Sequence, residues 1–108
     1  MENNQLSRTL YFSCKWDDIS LSKQLIENGT DVNLPNEKGE TPLFIGCLKS
    51  NLEHVKLFIE NEANVNQRSN DGSTPLSVAT DESIIQILID NGGDKIGKRP
   101  KRPIAQAL

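Results

Sequence analysis

The chain repeats itself at an interval of 33 residues, and that interval constrains its architecture more than any other feature. Gly39-Glu40-Thr41-Pro42-Leu43 returns as Gly72-Ser73-Thr74-Pro75-Leu76. Val32-Asn33 returns as Val65-Asn66, and Leu25-Ile26-Glu27-Asn28 meets Phe58-Ile59-Glu60-Asn61 at the same offset. Leu10 and Cys14 fall on Leu43 and Cys47. A unit this short cannot enclose a core alone. Each must bury its apolar side against the next, which makes a solenoid.

The order of elements inside a unit can be read from local chemistry. Asn36-Glu37-Lys38-Gly39 and Ser69-Asn70-Asp71-Gly72 are turn tetrads, short polar residues ending in glycine. Thr41-Pro42 and Thr74-Pro75 then start a helix, with threonine as N-cap and proline in the first helical position. A second helix follows a loop; in the middle unit it carries Leu52, Val55, Phe58 and Ile59, a stripe at helical spacing.

The 33-residue period, the Gly-x-Thr-Pro-Leu motif, the Leu/Val/Ile helix and the ending Asn28-Gly29-Thr30-Asp31-Val32-Asn33 resemble the ankyrin repeat. The resemblance covers about residues 6–94 and implies an all-α solenoid of stacked helix-turn-helix units with β-turn fingers. The units are expected at about 6–36, 37–69 and 70–96, within a repeat domain of residues 1–94 and before a basic tail of residues 95–108. Two departures stand out. The family usually has histidine two residues after the motif proline, bonded to the motif threonine. Phe44 and Ser77 stand there, which is expected to weaken that network. The third unit is also three residues short between its helices, so that its loop is clipped or one helix loses most of a turn.

At 108 residues and 35% apolar composition the chain suits one domain. Up to Asp94 it holds seven basic and fifteen acidic residues, a net charge of −8, whereas the tail has five basic residues and no acid. Such a body repels phosphates, so nucleic acid is expected only through Lys98, Arg99, Lys101 and Arg102. These four, interleaved with Pro100 and Pro103, read as a nuclear-import signal, as a weak electrostatic contact to nucleic acid or acidic lipid, or as a solvated extended end. Met1-Glu2-Asn3-Asn4-Gln5 has neither the basic nor the apolar stretch of a secretory signal, and no apolar run is longer than the three residues of Ile87-Leu88-Ile89. The expectation is a soluble intracellular protein, cytoplasmic unless the tail directs it to the nucleus, with reduced cysteines.

The ends of the stack differ. Ser22 and Gln24 occupy the places of Val55 and Leu57, which reads as a polar N-terminal cap. In the third unit those places hold Ile85 and Ile87, an internal pattern with no unit after it. The tail, through Ile96, Ile104 and Leu108, is expected to fold over that face; the alternative is a partner or a second copy of the chain.

No enzymatic site emerges. His54 is the single histidine, too little for a catalytic triad or a metal cluster, and is read as a partly buried helix residue. Cys14 and Cys47, one repeat apart on helices about 8–10 Å apart, are read as small core residues and not as a disulfide. Asn91-Gly92-Gly93-Asp94 follows a helix, which makes it a stop and not a phosphate loop. Asn28-Gly29-Thr30 matches a glycosylation acceptor only incidentally. No cofactor, metal or small-molecule substrate is expected. The resemblance implies a protein partner held by turn tips and first-helix faces: Glu37, Lys38 and Glu40; Asn70, Asp71 and Ser73; and Lys15 with Trp16, Leu48 with Lys49, Asp81 with Glu82. Trp16 and Leu48 are large and apolar where polar residues would serve a bare surface, although packing beneath the first turn or the N-terminal segment explains Trp16 equally well. Lysines in the first two pairs and acids in the third imply a groove running from basic to acidic.

Overall fold

A threonine and a proline open the first helix of the second and third units. A computed structural model of the protein describes residues 2–93, with side chains described from Thr9 onward. Within them lie α1 (Glu2–Lys15), α2 (Ile19–Glu27), α3 (Pro42–Leu48), α4 (Leu52–Glu60), α5 (Pro75–Val78) and α6 (Glu82–Asp90). Thr41 and Thr74 are extended N-caps, each accepting from the N–H three residues on. The helices pair as antiparallel hairpins. The first helices stack as α1, α3, α5 and the second as α2, α4, α6.

The core runs between these two layers. Leu10, Cys14, Leu43, Cys47, Val55, Phe58, Ile84 and Leu88 are fully buried. The cysteines are free, and burial pushes both thiols up to about 12, so neither is an ionised nucleophile near neutrality. The repeated Val-Asn ending staples one unit to the next. Asn33 Oδ1 accepts from the Asn64 N–H at 2.7 Å while its Nδ2 donates to the Glu62 carbonyl, and Asn66 Nδ2 reaches the Gly92 carbonyl at 3.0 Å.

In the third unit, Ser77 at the place of the motif histidine bonds the motif threonine. Ser77 Oγ accepts from the Thr74 N–H at 2.9 Å and Thr74 Oγ1 from the Ser77 N–H at 3.2 Å, a closed capping box. The three missing residues come out of the first helix: α5 has four residues where α3 has seven.

Ser22 does not form a polar outer cap. It is fully buried, because the residue it meets across the unit boundary is also polar. Ser13 Oγ donates to the Leu10 carbonyl at 2.8 Å. Ser22 then links Ser13 Oγ at 2.6 Å to His54 Nε2 at 2.8 Å, one polar chain across the unit boundary. Nor is His54 only partly buried; it has no exposure at all. Its Nδ1 lies 3.4 Å from Asp17 Oδ1. Burial holds the imidazole pKa below its ordinary value, although Asp17 and Asp18 favour the protonated ring.

That shift has a sign in stability. Above about pH 6.5 the ring is neutral in folded and unfolded chains alike; below it the unfolded chain binds a proton that the folded one resists, so stability falls. Thermal unfolding of the native chain will shift downward between about pH 7.5 and 5.5, and His54→Gln will be flatter over that window. A native chain whose melting does not change there would contradict the buried neutral ring.

The outer face of α6 lacks what α4 receives. Val55 is fully buried, whereas Ile85 at the equivalent place stays partly exposed; Ile87 and Ile89 are partly exposed like their α4 counterparts Leu57 and Ile59. The tail expected to cover them, with Ile96, Lys98, Arg99, Lys101, Arg102, Ile104 and Leu108, lies outside the described residues.

Candidate partner-binding groove

The first finger is built by one side chain. Asn36 Oδ1 accepts from the N–H groups of Lys38 and Glu40, both at 2.9 Å, and the Asn36 N–H donates to the Glu40 carbonyl at the same distance. Gly39 makes the reversal at φ 80°. The Tyr11 hydroxyl anchors this finger to α1, sharing its proton between the carbonyls of Leu34 at 2.5 Å and Glu40 at 2.8 Å. Burial, followed by the charges of Glu40 and Asp31, raises the Tyr11 pKa far above its usual value, so the hydroxyl remains a donor.

Between this finger and the exposed faces of α1 and α3 lies an open groove of about 890 Å³. Tyr11, Phe12, Ile45, Leu48, Leu34 and Pro35 supply its apolar lining, and Lys15, Lys38, Lys49, Glu37 and Glu40 its charges. Phe12 and Leu48 are each 50% exposed. Trp16 is 75% exposed beside the groove and does not pack beneath a turn; its ring stacks on Phe12 with centroids 5.7 Å apart.

Six of the residues singled out from the sequence therefore line one surface: Lys15, Glu37, Lys38, Glu40, Leu48 and Lys49. Asn70 and Asp71 are exposed on the second finger, but Ser73 is buried beneath it. Asp81 and Glu82 are misplaced by the 33-residue shift. Because α5 stops at Val78, Asp81 becomes the N-cap of α6, accepting from Ser83 and Ile84 N–H, and Glu82 its first residue. The expected basic-to-acidic run of first-helix pairs is thus absent, and the groove is made by the first two units. Phe12 and Tyr11 were not anticipated. The signal for Phe12 was present in its match to Ile45 and its position four residues before Trp16.

Among the described residues no cluster of three or more His, Cys, Asp or Glu could hold a metal, and no helix is long and apolar enough to cross a membrane. Stacked helical hairpins with turn fingers and a groove define a helical-repeat binding scaffold. The family description "Ankyrin repeats (3 copies)" matches residues 10–99, and the chain belongs to that family. Its members generally bind other proteins. No curated protein matches the chain.

Proposed function

We propose that the chain acts as an adaptor or inhibitor, gripping its protein partner in the groove between the first finger and the faces of α1 and α3. One observation carries this reading: of the large apolar side chains left exposed among the described residues, Phe12 and Leu48 line that groove and Trp16 stacks on Phe12 beside it. Exposed apolar surface so concentrated marks an interaction site, and Trp is the side chain most enriched at energetic anchors. Quantitative pull-downs with native chain, Trp16→Ala and Leu48→Ala will show a partner whose retention drops by about tenfold or more in both variants, at unchanged helix content. Identical partner lists would remove the groove from the reading.

The tail supports a second role. Lys98-Arg99-Pro100-Lys101-Arg102-Pro103 suits a nuclear address or a weak contact to nucleic acid. Deleting residues 95–108 without changing nuclear entry or salt-sensitive binding would end that role.

A further inference from the structure

Taking the groove as the binding surface, as proposed above, we infer that its occupant is an acidic amphipathic helix of the partner protein. The charge distribution gives the sign. Up to Asp94 only seven residues are basic, yet three of them, Lys15, Lys38 and Lys49, line this groove, with only Glu37 and Glu40 of the fifteen acids. None of the three lysines forms an ion pair among the described residues. Glu40 is already engaged, accepting from Asn36 Nδ2 at 3.0 Å. An acidic molecule thus presents unpaired ammonium groups around its exposed apolar patch, and an acidic ligand is steered there and away from the rest of the surface.

The backbone decides the conformation. An extended peptide gains affinity by adding main-chain hydrogen bonds to an exposed strand edge, and the described residues contain no strand. The finger's own polar groups are occupied. The Asn36 N–H and Glu40 carbonyl pair with each other, the Lys38 carbonyl accepts from the Asn70 N–H at 2.8 Å, and Tyr11 is held between the Leu34 and Glu40 carbonyls. A strand laid here would bury amides without partners. A helix satisfies its own backbone and asks only for side-chain contact, which Phe12, Leu48 and flanking Trp16 offer to an apolar stripe at i, i+4 and i+7.

The test is a phage-displayed library of helical peptides with leucine at i, i+4 and i+7 and the other positions randomised, selected on the full chain. A matching library of extended, proline-containing peptides is run beside it. Selected helical peptides will carry net negative charge, and reversing those charges will weaken binding by about tenfold at about 50 mM salt, a gap that narrows at high salt. The Lys15→Glu/Lys49→Glu chain, altered at two exposed positions, will prefer the charge-reversed peptide. Neutral or basic winners, or equal binding of the reversed peptide, would overturn the acidic character while leaving the groove in place. Tighter groove binding by extended peptides would overturn the helix. Winners insensitive to both Trp16→Ala and Leu48→Ala, or no winners at all, would overturn the groove and this inference together.

Discussion

The Phe58→Ala variant will melt at a temperature lower by more than about 10 °C and will lose helix from all three hairpins in one transition. Phe58 is the largest fully buried side chain and sits on α4, which packs against α2 on one side and α6 on the other. Truncating a buried phenylalanine costs about 3–5 kcal/mol, against a total stability for small domains of about 5–15 kcal/mol. Because each hairpin has a core only where a neighbour supplies the other half, the terminal hairpins cannot outlast the middle one. Circular dichroism during thermal and urea unfolding checks this. A second transition with surviving helix would mean that one terminal hairpin holds a core of its own.

Gly39→Ala will cost about 3 kcal/mol, and Gly72→Ala only about 1. Both glycines have left-handed φ, 80° and 88°, so both substitutions carry the same backbone strain. The surroundings differ. A Cβ on Gly39 would lie 2.7 Å from the Asn70 backbone nitrogen, whereas one on Gly72 would meet nothing within 4 Å. Relieving that clash separates the two fingers, breaking the Asn70 N–H bond to Lys38 O at 2.8 Å and the Asn70 Nδ2 bond to Glu37 O at 2.9 Å. Each net bond contributes about 1 kcal/mol. Melting temperatures compare the two variants, and hydrogen exchange at the Asn70 amide locates the damage. Equal losses would mean that the fingers do not support each other. Since Glu37 and Lys38 line the groove, Gly39→Ala will also weaken partner binding, which Gly72→Ala will spare.

How much was legible followed from the range of the interactions concerned. Thr41 and Thr74 could be recognised as caps, and Asn36 to Gly39 as a turn, because the bonds that make them close within four residues. The stacking of units was legible because a 33-residue period leaves each apolar stripe no other place to go. The turn tip at Glu37 and Lys38 and the face positions Lys15, Leu48 and Lys49 came only from the resemblance to the ankyrin repeat carried onto this period.

The remainder depended on what stands opposite. Ser22 reads as surface by composition, yet it is buried because His54 of the next hairpin faces it with a ring nitrogen at 2.8 Å. Asp81 and Glu82 moved from a groove wall to a helix start because the three-residue deletion was absorbed in α5, and packing chose between helix and loop. Phe12 joined the site because half of its surface stays exposed beside Leu48 and the first finger, a property of the assembled surface. Local hydrogen bonds and hydrophobic periodicity thus determined units, order and fold from the amino acids alone. Which polar groups are buried, and where the groove ends, was decided only in the tertiary structure, because desolvation depends on partners distant in the chain.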